Sequence, residues 1–254
     1  MTIDGASLAV SIAAAAAAGI VGCFAVMRRM ALAADAMSHV ALPGIGVALA
    51  LRIHPLFGAA AMLFFGALLI WGVERRARMA TETVIGVVFS AALAVGSLMS
   101  SGEELVDALF GGAGALGAAE AAFGIAAAAL VVIVVLAKRS SLVLALVSPD
   151  IARTSGIDPS RLNLLYLEVF ALTVALGLRY LGVLLMGSLI IIPAATAKRL
   201  ARNLSGMFGW SVAVAIVSSG VGTWAAEVLH RPTGPLIISA AAICFLASLV
   251  RRPA

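Results

Sequence analysis

The chain has 254 residues, of which 63% are hydrophobic and 11% charged, with a formal net charge of +5. A soluble domain of this length needs about a quarter charged residues to cover its surface, so the composition excludes a soluble protein. Continuous apolar runs of about 20 residues predict membrane-spanning helices rather than the short alternating strands of a barrel. The positive charge does not indicate nucleic acid binding, because membrane topology accounts for it.

The apolar runs predict an all-α, polytopic integral membrane helical bundle in contact with lipid. In chain order the predicted spans are 7–27, 31–51, 55–73, 81–100, 118–137, 162–178, 181–197, 207–229 and 234–250. Only Arg179 and Tyr180 separate two of these runs, which are therefore also compatible with a tight hairpin that does not fully cross. We expect a single transmembrane domain, residues 1–254, with about eight or nine membrane-spanning helices.

The basic residues predict the orientation of the chain. Of the 17 lysines and arginines, all except Arg52, Arg179 and Arg231 fall in alternate loops or at the C-terminus. The positive-inside rule places these loops in the cytosol. The N-terminus is then expected outside and the C-terminus in the cytosol.

The segment 103–112, EELVDALFGG, is too polar to span the membrane. Its acids Glu103, Glu104 and Asp107 lie along one side of a helix and apolar residues along another. This pattern favours a helix lying on the outer surface of the membrane. An acidic lip that concentrates cations is the alternative.

The segment 148–158 predicts a short cytosolic helix with defined ends. Ser148 is suited to cap it, Pro149 to occupy its first position, and Asp150 to complement the N-terminal dipole. Gly156 supplies the left-handed residue typical of a helix C-terminus. The segment is either an ordinary ordered loop or a rigid lever that transmits force from a cytosolic partner.

The chain lacks its own phosphate-binding motif. It has two lysines, Lys138 and Lys198, and neither follows a glycine as in G-x-x-x-x-G-K-[ST]. If ATP powers this protein, a different polypeptide must bind it. The chain is thus expected to be a non-enzymatic subunit with no permanently bound cofactor.

Asp35 and His39 are the most informative polar residues inside a predicted span. Residues four apart on a helix face the same way, with Cβ atoms about 5–6 Å apart. A carboxylate at the centre of a membrane helix costs about 2.5–3.5 kcal/mol on insertion scales, so such a residue typically faces a cavity or a pathway. The same face continues through Pro43 and Gly46, where small residues let backbones approach closely. Because Pro43 has no N–H, the carbonyl of His39 is predicted to point into the pathway as a further oxygen.

One oxygen and one nitrogen ligand suit Zn²⁺, Mn²⁺ or Fe²⁺, whereas the absence of sulfur ligands argues against Cu(I). Two ligands are too few for a metal site, but a C2 dimer with this face at its axis would supply four. The alternative is an internal hydrogen bond between Asp35 and His39 that fixes helix packing.

Glu168 is a weaker pathway candidate, as are His54 and His230 near the outer ends of spans. Pro193 is a candidate bend.

Several segments resemble the permease subunits of the ABC-3 family. The first is RRMALAADAMSHVALPGIGVALAL, residues 28–51, and SPDIARTSGI and GVLLMGSLIIIPAATAKRLARN follow later in the chain. ETVIGVVFSAALAVG and RPTGP agree as well, so the likeness extends over almost the entire chain. One departure is Ala34, where many members have glycine before the aspartate; it removes no ligand.

The resemblance implies a permease of a bacterial importer for zinc, manganese or iron, located in the cytoplasmic (inner) membrane. It implies a homodimer with two cytosolic ABC ATPase subunits and an extracytoplasmic metal-binding protein. Asp35 and His39 match the family's metal-coordinating positions. Asp150, Ala152 and Gly156 match the D-x-A-x-x-x-G pattern of its ATPase-docking segment. Arg52, Arg179 and Arg231 are candidate contacts for acidic residues of the binding protein.

Three functions therefore remain open from the residues alone. The first is an ABC importer permease that coordinates a divalent metal transiently. The second is a proton-coupled secondary metal transporter with Asp35, His39 and Glu168 as a relay. The third is a membrane scaffold whose cytosolic segment recruits partners.

Overall fold

In the computed structural model, which describes residues 5–77, 79–99, 117–181 and 183–250, every regular element is an α-helix. The helices, numbered here in chain order, are α1 Gly5–Met27, α2 Ala33–Ala50, α3 Pro55–Ala77, α4 Thr81–Met99, α5 Ala118–Val147, α6 Pro149–Thr154, α7 Pro159–Leu181, α8 Val183–Leu200, α9 Leu204–Leu229 and α10 Thr233–Val250. Within the described residues, 8 helices are long and apolar enough to cross a membrane, namely α1 to α5, α7, α9 and α10. The prediction of an all-α polytopic bundle is confirmed.

Helix boundaries differ from the predicted ones at two places. α5 has 30 residues and continues to Val147, whereas the predicted span ended at residue 137. Its length of about 45 Å exceeds a bilayer core of roughly 30 Å, so one end extends out of the core. α7 continues through residues 179 and 180 to Leu181, and α8 begins at Val183, so the two predicted helices are separate but meet two to three residues later than predicted. The helix predicted at 103–112 lies outside the described residues.

α1 is the central helix of the bundle and contacts α5, α7, α8 and α9. Residues 13–18 are all alanine, and Gly19 and Gly22 follow, so neighbouring backbones approach closely. A methyl group on Gly22 would overlap the carbonyl of Ile190 in α8. The Ser211 hydroxyl of α9 donates to the carbonyl of Gly19 at 2.7 Å. Small residues of α1 therefore set the positions of α8 and α9.

α2 packs between α3, α4 and α8. A methyl group on Gly44 of α2 would overlap the carbonyl of Gly58 in α3, and the reverse substitution would overlap the carbonyl of Gly44. On the α8 side, a methyl group on Gly187 would lie 2.9 Å from both Cα and N of Asp35. These backbone contacts fix the rotation of α2 and hence the direction in which Asp35 points.

The short helix α6 begins and ends largely as predicted. Pro149 is its first residue, and Gly156 has φ 77°, the left-handed conformation expected after its C-terminus. Ser148 precedes the helix, but its side chain makes no capping hydrogen bond, so that detail of the prediction is wrong. Asp158 caps α7 instead, because its carboxylate accepts from the backbone N–H of Ser160 at 2.9 Å.

Candidate functional site

Asp35 and His39 lie one turn apart at the open edge of an otherwise buried helix. Asp35 is in the first turn of α2 and is exposed, and His39 is half-buried. Their neighbours Ala34, Met37 and Ser38 are at most 1% exposed. The buried side of α2 packs within this chain, so the two polar side chains point away from the chain's own core.

Phe89 of α4 packs against the His39 imidazole. The two ring centroids are 5.6 Å apart and the ring planes are inclined at 56°. The Nδ1 atom of His39 is buried and has no hydrogen-bond partner among the described residues. Imidazoles that bind metals usually donate their second N–H to a carboxylate, a carbonyl or a water. A hydrogen-bond partner for Nδ1 of His39 must therefore come from outside the described residues.

A single copy of the chain supplies an incomplete metal site. The described side chains show no hydrogen bond between Asp35 and His39, so the alternative in which that bond fixes helix packing is unsupported. Within the same residues, no group of three or more His, Cys, Asp or Glu side chains could hold a metal ion. A carboxylate and an imidazole suit borderline divalent cations, but a four-ligand site needs two more donors.

The small-residue face beyond His39 is covered by the chain itself. Pro43 and Gly46 are buried. α4 packs over this part of α2, since a methyl group on Gly96 would lie 3.0 Å from Cβ of Leu42 and 3.4 Å from Cδ of Pro43. The pathway predicted along this face is thus closed by α4 at Pro43. One to two turns further, Val47 is again exposed.

The weaker candidates do not join the Asp35–His39 pair. Glu168 is half-buried on α7 and belongs to no cluster of potential ligands in the described part of the chain. Nδ1 of His54 accepts from the backbone N–H of Leu56 at 3.2 Å, at the start of α3. His230 has φ 50° and ends α9 in the left-handed conformation. Both histidines therefore have local roles at helix ends.

The docking positions predicted on α6 differ in exposure. Asp150 is exposed and pairs with Arg153 at 2.9 Å, and the αL residue Gly156 follows the helix. Ala152 is 0% exposed, because it packs against the bundle. The apolar residues that α6 exposes are Pro149 and Ile151, the latter at 56%. Of the three predicted docking positions, Asp150 and Gly156 are therefore open to a partner, while Ala152 seats the helix.

A polar network that the sequence did not predict joins three helices where α1 and α3 end and α7 begins. Arg28, one residue after α1, donates from Nη1 to Oδ1 of Asn163 in α7. Nδ2 of Asn163 donates to Oε2 of Glu74 in α3 at 2.8 Å. The guanidinium carbon of Arg28 lies 4.5 Å from the centroid of the Tyr166 ring. Burial lowers the pKa of Arg28, and the nearby Glu74 carboxylate opposes that shift.

In the sequence, nothing distinguished these three residues from other polar residues at helix ends. Arg28 and Glu74 each stand beside other arginines, and Asn163 is a neutral residue near a helix start. The bonded pairs are separated by 135 and 89 positions, so only the tertiary structure brings them together. The one available signal was that Glu74 is a single acid directly before a cluster of arginines at the end of a span.

The helical bundle and its outward-facing carboxylate and imidazole define a polytopic membrane protein with a polar site on a spanning helix. The chain belongs to the ABC 3 transport family, whose model matches residues 3–252. The resemblance found in the sequence is thereby confirmed.

Characterised relatives include membrane proteins of metal transport systems. The chain is 28% identical to the High-affinity zinc uptake system membrane protein ZnuB of Haemophilus influenzae, over 91% of this chain and 90% of that protein. It is also 28% identical to the Manganese transport system membrane protein MntC of Listeria innocua, over 97% and 90% of the two chains. A chain of PsaBC from Streptococcus pneumoniae, solved in complex with a Fab, matches with a TM-score of 0.82 at 26% identity, covering 96% of this chain and 89% of that chain.

Proposed function

We propose that the chain is the permease subunit of an ABC importer for a divalent transition metal. The cargo is zinc or manganese, with ferrous iron as the third candidate, and a separate subunit hydrolyses the ATP. The observation that supports this most directly is the exposed Asp35 beside half-buried His39 on the edge of α2. A carboxylate facing lipid would cost about 2.5–3.5 kcal/mol at the centre of a span and less near the helix end where Asp35 lies, so this edge is better suited to a partner or an aqueous path than to lipid. The relatives' association with zinc and manganese transport supports the same ligand chemistry.

A second copy of the chain is the partner that completes the site. Two copies related by a twofold axis at this edge contribute two carboxylates and two imidazoles, the number a tetrahedral cation needs. Three exposed apolar residues extend the surface available for pairing, namely Leu32 just before α2, Val47 within it and Leu51 just after it. The metal then binds where two copies meet, and separation of the copies releases it.

The short helix α6 docks an ABC ATPase on the cytosolic side. α6 exposes Ile151 beside Asp150, while buried Ala152 seats the helix and Gly156 ends it. A rigid short helix that offers an apolar contact outside the membrane is suited to receiving force from a partner. The predicted orientation, with the N-terminus outside and the C-terminus in the cytosol of a bacterial cytoplasmic membrane, requires an odd number of crossings, so α8 must cross in addition to the 8 helices named above. An extracytoplasmic metal-binding protein then meets the opposite end, where Arg52 and Arg231 are exposed.

Reconstitution tests the proposal against its alternative. The chain with its ATPase in proteoliposomes should import ⁶⁵Zn²⁺ or ⁵⁴Mn²⁺ only when ATP is present on the ATPase side. The chain without the ATPase should not import either metal. Uptake by the chain alone, driven by a pH gradient, would instead establish the proton-coupled secondary transporter.

A further inference from the structure

The side chain of Asn163 binds two different helices at once. Its carbonyl oxygen accepts from Arg28, which follows α1, and its amide nitrogen donates to Glu74 of α3. We call Arg28, Asn163 and Glu74 the junction. A primary amide is one of the few neutral groups that accepts from a cation and donates to an anion simultaneously. The junction therefore ties the ends of α1, α3 and α7 together in one geometry.

On one side, the junction is coupled closely to α6. The link between α6 and α7 is short and internally bonded, since the backbone N–H of Ile157 donates to the carbonyl of Ala152 at 2.9 Å. Asp158 then caps α7 through Ser160. The indole Nε1 of Trp71 in α3 donates to the Ser160 carbonyl at 2.9 Å, one turn from Asn163. A displacement of α6 therefore carries the first turn of α7 with it.

On its other side, the junction adjoins the start of α2. Arg28 begins the tight turn between α1 and α2, and Arg29 there has φ 61°. The turn is closed because the backbone N–H of Met30 donates to the carbonyl of Ala25 at 2.8 Å. α2 begins at Ala33, and Asp35 lies in its first turn. A shift of Arg28 is thus transmitted through a short, hydrogen-bonded turn to the ligand-bearing end of α2.

The junction is not simply a fully satisfied stabilising network. Nε of Arg28 is buried and has no hydrogen-bond partner among the described residues. Buried polar atoms in folded proteins are nearly always paired, and an unpaired one calls for a specific explanation. An arginine that leaves one donor unused can exchange partners at little cost when neighbouring helices move.

We propose that Arg28, Asn163 and Glu74 position α2 in response to α6, and so couple events at the docking helix to the geometry of the Asp35–His39 pair. This inference rests on the proposed function, because it takes α6 as the helix on which the ATPase acts. All three are positioning residues, and none of them touches the metal.

The test measures metal moved per ATP hydrolysed by the complete complex in proteoliposomes. Asn163→Asp is isosteric and still accepts from Arg28, but its second oxygen faces the Glu74 carboxylate and cannot donate to it. We expect assembly with the ATPase and the ATPase rate to stay within about twofold of wild type. The number of metal ions moved per ATP should fall about fivefold, as for other residues that carry coupling between sites.

The rescue variant reverses the direction of one hydrogen bond. In Asn163→Asp combined with Glu74→Gln, the glutamine amide donates to the new carboxylate, and the transport-to-hydrolysis ratio should return to within about twofold of wild type. Arg29→Asn is the matched control. It removes the adjacent exposed charge with a residue that tolerates positive φ, and it should leave the ratio unchanged.

The junction proposal is overturned if Asn163→Asp leaves the ratio unchanged, whether or not yield and rates fall together. It is equally overturned if the double variant stays uncoupled. These failures are distinct from failure of the proposed function. If the proposed function is wrong, the wild-type complex itself hydrolyses ATP without moving metal, or transports metal without ATP.

Discussion

The surroundings of Asp35 direct its charged side chain away from the apolar core of the chain. Gly187 of α8 lies against its backbone, so the Asp35 side chain is directed to the open edge of α2. His39 lies one turn further along the same edge, with its ring against Phe89. A rigid contact to the Asp35 backbone and an aromatic neighbour of His39 thus hold both proposed ligands on this edge, and such pre-organisation is what a binding site requires.

The first prediction concerns the charge of Asp35. Asp35→Asn keeps the shape of the side chain and removes the anionic oxygen, so metal affinity of the purified dimer should fall at least about tenfold. Isothermal titration with Zn²⁺ and Mn²⁺ measures the affinity, and uptake in cells should fall in parallel. Unchanged metal affinity in this variant would show that Asp35 does not bind the metal.

Glu168→Gln is the matched control for the loss of a membrane acid. Glu168 is half-buried on α7 and lies outside any described cluster of metal ligands. Its substitution should leave metal affinity unchanged. A comparable loss of transport in both variants, together with a dependence on the pH gradient, would favour the proton relay.

At the scale of the helix, the contact between Gly44 and Gly58 decides how closely α2 and α3 approach. Gly44→Ala places a methyl group in the space occupied by the Gly58 carbonyl, and relieving this overlap should destabilise the bundle by about 1–3 kcal/mol. Gly72→Ala is the control on α3, because nothing lies within 4 Å of its added methyl group. Alanine there should be neutral or stabilising by about 0.5–1 kcal/mol. Thermal unfolding in detergent distinguishes the two, and equal Tm values would contradict the packing described here.

The proposed docking of an ATPase on α6 leads to a separate prediction. Ile151→Glu replaces the exposed apolar contact by a charge, and co-purification of the ATPase should fall about tenfold, as when an interface anchor is lost. Thr154→Glu adds the same charge on the same exposed helix without removing an apolar side chain. It should retain most of the ATPase. Equal retention in both variants would place the docking contact elsewhere.

At the scale of the whole molecule, the proposed dimer determines which surfaces meet. Val47 is 42% exposed on the edge of α2, whereas Ile243 is 66% exposed on α10. In a chain with Cys23 and Cys244 replaced by alanine, Val47→Cys should form a disulfide-linked dimer on mild oxidation in membranes. Ile243→Cys should remain monomeric on a denaturing gel. Cross-linking through residue 243 but not through residue 47 would show that the twofold axis does not lie beside Asp35 and His39.

The sequence predicted the features that depend on local chemistry. Hydrophobic run length identified the spanning helices, because a bilayer requires each span to satisfy its own backbone. Gly156 marked the end of α6, because a left-handed backbone conformation depends on a few neighbouring residues. The spacing of Asp35 and His39 placed them on one face for the same reason. Ser148 was wrong as a cap because a cap also depends on the exact approach of the preceding helix α5.

Features that depend on distant residues were decided only by the tertiary structure. Gly44 was evident as a small residue, but its partner Gly58 follows from how α2 rotates against α3. The burial of Pro43 under α4 and the bonding of Asn163 to both Arg28 and Glu74 join segments far apart in the chain. By itself, the sequence determined which residues prefer lipid and which chemistry they bring. Which side chains meet was decided by helix packing, because interhelical contacts in a membrane come from matching surface shapes that a hydrophobic pattern does not encode.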